Sequence, residues 1–563
     1  MFSPEPRGLD SAPRSYSPLQ PKNEQVGSHD VRLRAAMVEL GRSLGLGKLR
    51  ARWYKAAILL AVLLFILANW RRSCIASYND TDKNCSLHYE NEACASLIVF
   101  TANMFIWGLI SPVVLLTEVV TGKPIFRKRT CDSVCNGYTC HRDISRSWGP
   151  YTPYFSVEPD NPNPGIEGRC KVTFAQVLSR HGARYPTNGA GQGIAATIRK
   201  IQSNATSYSR KTFFIRDFEY SLGHDDLTKF GAREMYNSGV KFYRRYKNLA
   251  KRNKPFVRVS SQERVVDSGS NFTKGFLDEM RSSTGEDVPP FPAPVIVYEG
   301  RTYNNTLDHG ACREFEDGKY SNLGDEAQAR YATRFARVAK YLNDEMTNAD
   351  IDVHDVMNLI SLCPYLTVAE AGGDPLPEFC KIFNEDEFEA YNHYHNLGKF
   401  YGYGPGNPLG PAQGIGFVNE LIARLTDTPV NDSTSTNTTL DGDEETFPLG
   451  RKLYADFSHD NTMVSIFSAM NLFGGLRDLS KERTHSLDDF DVAELVPFAG
   501  RMYVEKLACD DADEELVRVL INDKIMDLKG CHEQRYGACK LSDFVQSLDW
   551  ARRGGNWADC GWS

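Results

Sequence analysis

A short apolar run with β-branched residues, Val172 to Leu178 (VTFAQVL), stops abruptly at Ser179-Arg180-His181-Gly182, and this junction constrains the chain more than any other stretch of it. The run reads as a buried strand that meets a loop. Leu453 to Phe457 repeats the arrangement and ends in Ser458-His459-Asp460-Asn461. Pro255 to Ser260 (PFVRVS) is a further strand candidate. Helical patterns lie between these strands, from Ala232 to Leu249 behind Leu227-Thr228-Lys229-Phe230-Gly231, and from Gly416 to Leu425. From Cys131 onward the chain therefore reads as one globular unit of mixed α and β character. Open α/β sheets bind ligands at the carboxyl ends of their strands, which makes the two histidine-bearing junctions the candidate site. Gly402 to Pro411 (GYGPGNPLGP) reads as a loop, and the Ser/Thr/Asp-rich segment from Asp432 to Glu445 as a surface insertion.

The 563 residues leave room for more than this unit. Residues 1–52, rich in Pro, Ser, Gly and Arg without a sustained apolar period, are expected to form a disordered basic tail. Residues 53–130 read as a membrane-anchor region with one or two hydrophobic spans. Ala56 to Trp70 is an apolar run between Arg50, Arg52 and Lys55 on one side and Arg71-Arg72 on the other, and Ala95 to Thr117 is an uncharged run long enough to span. Two full spans would put both termini on one side, although the basic tail prefers the cytosol and the cysteine-rich unit the lumen. A single span, a hairpin with a lumenal tail, or a gene-model error within 71–130 would each resolve the conflict. One functional anchor is the expectation. Residues 131–563 are then the catalytic domain.

Fourteen cysteines are present, eleven of them from Cys131 onward, in no CxxC…CxxC zinc pattern. Such usage belongs to an oxidising compartment. The sequons at Asn204, Asn271, Asn304, Asn431 and Asn437 point the same way, toward an extracellular or secretory-lumen location. A hydrophobic fraction of 41% and a charged fraction of 24% are those of a globular protein. The net charge of −7 argues against a nucleic-acid partner.

The heptad Arg180-His181-Gly182-Ala183-Arg184-Tyr185-Pro186 carries the chemistry. Two permanently charged, planar guanidinium groups flank one imidazole, and a phosphate ester needs such bidentate donors. Gly182 lets backbone approach an anion. Nearby cations disfavour the charged imidazole and keep its lone pair available for nucleophilic attack. A lone Arg-His pair would be no more than a solvated basic loop. A heptad of this kind behind a strand is a phosphate site.

RHGARYP resembles the RHGxRxP signature of the histidine acid phosphatases, and CKVTFAQVLSRHGARYPT is similar to their fungal phytase branch. The likeness runs from Cys131 to Ser563 and includes Trp148-Gly149, Tyr154-Phe155-Ser156, Tyr220-Ser221-Leu222-Gly223, Gly404 to Pro411, Asn419 to Leu425 and Tyr454 to Asn461. It implies a phosphoglycerate-mutase-like histidine phosphatase α/β domain with a smaller α-helical subdomain over the active-site cleft. It further implies that His181 becomes phosphorylated, that Arg180, Arg184 and Arg264 hold the phosphoryl oxygens, and that His459 adds a donor. Asp460 would protonate the leaving oxygen and later activate water. No metal or cofactor is implied, since arginines supply the charge stabilisation that phosphoryl transfer requires.

The same resemblance implies the disulfides Cys131–Cys140, Cys170–Cys509, Cys312–Cys560, Cys363–Cys380 and Cys531–Cys539. Cys135 is left without a partner, together with Cys74, Cys85 and Cys94. The phytase branch surrounds its site with lysines, whereas here Gln192 and Gly193 follow the heptad, only Lys399 remains of a lysine pair as a substrate-binding candidate, and Tyr403 replaces a histidine. Lys200, Arg210 and Lys211 are candidates to compensate. Phytate and simpler phosphate monoesters both remain open as the small-molecule partner.

Two motifs are set aside. His393-Tyr394-His395 would put two imidazoles on one face of a strand, but no carboxylate or cysteine completes a metal site at a familiar spacing. Gly402-x-Gly404-x-Gly406 lacks the Lys-Ser/Thr of a phosphate-binding P-loop. Two rivals are weighed against the phosphatase. A branched phosphoglycerate-mutase-like phosphotransferase is disfavoured by Arg184-x-Pro186 and His459-Asp460. A catalytically silent membrane-tethered receptor is disfavoured by the intact Arg180, His181, Arg264, His459 and Asp460.

Overall fold

The computed structural model describes residues 131–158, 168–484, 490–531 and 534–561. The basic tail, both apolar runs, and Cys74, Cys85 and Cys94 lie outside the described residues. Among the described residues no helix is long and apolar enough to cross a membrane.

The frame is a nine-stranded sheet formed by β1 (Cys170–Arg180), β2 (Phe256–Ser260), β3 (Val295–Val297), β4 (Leu453–Ser458), β5 (Arg501–Cys509), β6 (Leu516–Ile521), β7 (Lys524–Ile525), β8 (Gln534–Arg535) and β9 (Ala538–Lys540). Its order is β8-β9-β6-β5-β1-β4-β2-β3, with β7 paired to β6. Strands β1, β4, β2 and β3 are parallel, while β5, β6, β9 and β8 extend the sheet antiparallel from β1.

The parallel strands are apolar on alternate residues toward both faces, as a sheet covered on both sides requires. Ala175, Val177, Leu453, Ala455 and Phe457 join one core with Phe242 and Phe272. Those aromatics come from α2 (Lys229–Arg245) and α3 (Glu263–Thr284), both of which follow α1 (Asn188–Asn204) in the chain. Phe174, Leu178 and Tyr454 face the opposite way into a larger core. Between β3 and β4 the chain builds α4 (Leu323–Ala332), α5 (Ala336–Glu345), α6 (Val353–Ala369) and α7 (Glu385–Gly402). Helix α6 packs on α1 and on α5, and α4 packs on α7, which gives the α-helical subdomain expected. Helices α8 (Ile415–Thr426) and α9 (Asp460–Ala469) complete the second face.

Two expectations are corrected. His393 and His395 lie in α7, not in a strand: Asn384 and Glu387 form a capping box that starts the helix, and Phe388, Tyr391, Leu397 and Phe400 are buried along it. The segment from Asp432 to Glu445 lies largely at the surface, with Thr434, Ser435 and Thr436 buried and Asp432 accepting a hydrogen bond of 2.7 Å from Asn419. Cys135 is disulfide-bonded, and no described cysteine is free. The disulfides Cys131–Cys140, Cys170–Cys509, Cys312–Cys560, Cys363–Cys380 and Cys531–Cys539 are all present.

Candidate active site

Because β1 and β4 are parallel neighbours with Arg180 opposite Ser458, the residues that follow them emerge side by side. The rings of His181 and His459 are 5.6 Å apart between centroids. His181 is 1% exposed, and its Nδ1 lies 2.8 Å from the carbonyl oxygen of Gly182. A carbonyl only accepts, so Nδ1 carries the hydrogen and Nε2 keeps its lone pair. Burial holds the imidazole well below its usual pKa, and the charges of Arg180, Arg184, His459 and Arg264 add to this. The ring is therefore neutral even in acid.

The loop after β1 is clamped by its surroundings. Buried Glu234 of α2 accepts from the amides of Ala183 (2.8 Å) and Tyr154 (3.0 Å), Thr228 donates to the carbonyl of Ala183, and the amide of Gly182 donates to Ser268. Gly182 is closely packed: a Cβ there would stand 2.4 Å from the carbonyl oxygen of Gly231. The converse Cβ on Gly231 would stand 1.9 Å from that of Ala183.

Arg180 is anchored by the carbonyl oxygens of Pro150 and Val496 and lies 4.7 Å over the ring of Phe498. Its Nη2 is 3.3 Å from Oδ2 of Asp460. Arg184 donates to the carbonyl of Tyr185 at 2.8 Å and bonds the Tyr365 hydroxyl. Arg264 stands in the first turn of α3, where the helix dipole disfavours a cation, and its Nη1 is 3.9 Å from Oδ1 of Asp225. The Nε atoms of Arg180, Arg184 and Arg264 are buried and have no hydrogen-bond partner among the described residues.

Asp460 opens α9 directly after His459, its N-cap. Burial pushes its carboxyl up, but Arg180 and Lys399 overrule this and hold it well below the carboxylate range. Lys399 reaches in from the last turn of α7, with Nζ 2.7 Å from Oδ2 of Asp460 and a second bond to Asn461. The one lysine of the expected pair is thus committed to the carboxyl. The compensating charges are also engaged elsewhere: Lys200 pairs with Asp355 at 2.8 Å, and Lys211 donates to the carbonyl of Ile382. His395 is buried against Tyr151, Tyr391 and Tyr394, and burial lowers it to about 3. His393 is bonded to the carbonyl of Ser480. Among the described residues, no group of three or more His, Cys, Asp and Glu could hold a metal ion. Of the sequon asparagines, Asn204, Asn304 and Asn431 are exposed and Asn271 and Asn437 half-buried.

Sequence reasoning missed Glu299, whose Oε1 lies 2.8 Å from Nε2 of His459. It also missed Glu234, Asp225 and Tyr365. A signal for Glu299 existed, because it follows β3 by two residues, where a parallel strand of an α/β sheet ends. All four parallel strands therefore deliver to one place: Arg180 at the end of β1 with His181 and Arg184 after it, His459 and Asp460 after β4, Arg264 after β2 and Glu299 after β3.

An α/β sheet with an arginine-ringed, uncharged imidazole at its carboxyl edge defines a phosphatase of the histidine class. The model of the Histidine phosphatase superfamily (branch 2) matches residues 171–522, and the chain belongs to that family. It is similar to Phytase A of Aspergillus oryzae, 44% identical over 469 residues that cover 81% of this chain and 100% of that protein. It is 45% identical to Phytase A of Aspergillus fumigatus over 460 residues, covering 80% of this chain and 98% of that one. Among solved structures, the phytase from D. castellii shares the fold with a TM-score of 0.58 and 23% identity, covering 72% of this chain and 85% of that one.

Proposed function

We propose that the chain hydrolyses phosphate monoesters in acid, phytate among them, through a phosphohistidine on His181. The observation that carries this reading is a neutral His181 whose Nδ1–H is spent on Gly182 while Nε2 keeps its lone pair beside three arginines. Nε2 attacks phosphorus in line, and the P–O bond to the leaving group breaks. Arg180, Arg184 and Arg264, with unmatched buried Nε–H donors, bind the equatorial oxygens, and His459 adds a further donor. Asp460 delivers a proton to the leaving oxygen and then takes one from the water that cleaves the P–N bond.

The depressed carboxyl of Asp460 fixes where that proton originates. In the free site Asp460 is ionised, so the proton enters with the substrate as its monoanion. Once bound, the phosphate charge offsets Arg180 and lets the carboxyl accept the proton. kcat/KM therefore declines above about pH 6, where a phosphate monoester loses its second proton.

Similarity to fungal phytases over their whole length supports phytate as a substrate. Lys399, held by Asp460, and the distant engagement of Lys200 and Lys211 favour activity on simpler monoesters as well. Substitution His181→Ala is expected to abolish release of phosphate from p-nitrophenyl phosphate and from phytate near pH 5. Full turnover in that variant would remove His181 as the nucleophile.

Residues 131–563 form the catalytic domain of this proposal, and the five disulfides suit an oxidising compartment. The apolar runs at 56–70 and 95–117 support a membrane tether. A tethered chain stays with the membrane pellet after alkaline carbonate extraction, and release into the supernatant would count against the tether.

A further inference from the structure

His459 is gripped from behind. Its Nε2 lies 2.8 Å from Oε1 of Glu299, and the two side chains are 11% and 12% exposed. Glu299 is in turn fixed to the loop between β2 and α3. Its amide donates to Oγ of Ser261 at 3.1 Å, and its Oε2 accepts from Nε2 of Gln262 at 2.5 Å. That loop runs directly into Arg264. One carboxylate thereby connects the ends of three parallel strands: β3, which carries it; β4, which leads to His459; and β2, which leads to Arg264. Burial pushes the Glu299 carboxyl up, but its bond to His459 and the charge of that ring bring it down to about 2, so it stays ionised across the acid range.

An ionised carboxylate can only accept. Nε2 of His459 must therefore carry a hydrogen, and Nδ1 is the only ring nitrogen left for the substrate. Donation from Nδ1 to a phosphoryl oxygen then requires the doubly protonated ring, whose charge Glu299 offsets. The other charged or titratable groups around the pair are His181 after β1, Arg264 on α3 and Asp460 on α9. Without Glu299 the ring would be free to rotate and to change tautomer among the cations that share its cavity. We propose that Glu299 is a positioning residue for the hydrolysis, locking the orientation of His459 with a hydrogen held on its Nε2 and joining it mechanically to the loop that carries Arg264. This rests on the reading of His459 as a phosphate donor.

The experiment is a double-mutant cycle on the full chain with p-nitrophenyl phosphate, read as kcat/KM against pH. Glu299→Gln is isosteric and is expected to lower kcat/KM by about 10- to 100-fold, the worth of a charge-assisted hydrogen bond. The alkaline limb, set by the second ionisation of the substrate, stays where it is. In a His459→Ala background Glu299→Gln has no further effect. Gln262→Ala keeps the carboxylate but removes one of its anchors, and lowers kcat/KM by less. A Glu299→Gln loss of equal size without His459 would overturn the proposal. If His459→Ala alone keeps full activity, the donor role of His459 fails; if it is crippled while Glu299→Gln matches the native enzyme, only the inference about Glu299 fails.

Discussion

His181 and Asp460 are perturbed in the same direction for complementary reasons. Burial and the neighbouring guanidinium groups strip the proton from the imidazole, while Arg180 and Lys399 overcome burial to strip it from the carboxyl. A nucleophile gains by this, and a general acid loses unless substrate restores its proton. Asp460→Asn tests that division of labour. It should slow an alkyl phosphate by about 10²–10³-fold. An ester with a good leaving group, which departs without protonation, should suffer far less. Equal slowing of both classes would take Asp460 out of the acid role. Lys399 belongs to the same argument, since at 2.7 Å from Oδ2 it acts on the carboxyl more directly than on distant phosphates.

At the scale of elements, the site is the carboxyl edge of the parallel strands β1, β4, β2 and β3, and its precision depends on how tightly α2 seats the loop after β1. The contact of Gly182 with Gly231 is backbone on backbone, which leaves no flexible side chain to yield. Gly231→Ala is expected to cost about 1–3 kcal/mol in stability, as overpacking does, and to lower kcat by displacing Ala183 and Arg184. Denaturant titration and kinetics on the same preparation check both, and an unchanged midpoint with native kcat would show that the loop is not seated in this way. Strands β1, β2 and β4 were legible because short runs rich in apolar, β-branched and aromatic residues marked them, and the two histidine junctions followed from β1 and β4. Strand β3 was not, since three residues, Val295–Val297, give no period to read. Glu299 was hidden with it. Helix α7 was misread at His393-Tyr394-His395 because attention to the imidazoles obscured the capping box at Asn384 and Glu387. Glu234 gave no sign because its partners, the amides of Ala183 and Tyr154, are joined to it only by tertiary packing.

For the whole molecule, buried carboxyls set a stability profile suited to acid. Burial raises Glu234 to about 8 and Asp491 to about 6, and burial together with the Glu420 carboxylate pushes Asp441 up as well. A carboxyl that is harder to ionise when folded favours the native state at low pH, and its contribution is lost as pH rises from the unfolded value through the folded one. The opposite set is Asp523, Asp456 and Glu505. Burial pushes each up, but Lys241 and Arg245 lower the first, Arg258 and Arg424 the second, and Arg245 and Arg518 the third. Their stabilisation is present above the unfolded value and is lost as pH falls below it. Between the two sets the melting temperature should peak at about pH 4–5 and fall by several degrees toward pH 8. A Tm that climbs steadily from pH 5 to pH 8 would contradict the assignment. The disulfide Cys170–Cys509, which joins the start of β1 to the end of β5, holds the sheet at its centre throughout that range.

The most direct measurement is to capture the phosphoenzyme. Brief reaction with a ³²P-labelled monoester, quenched in base where phosphohistidine survives, should leave label on the peptide that contains His181, with none in His181→Ala. Turnover without any labelled peptide, or label retained after His181 is removed, would contradict the account.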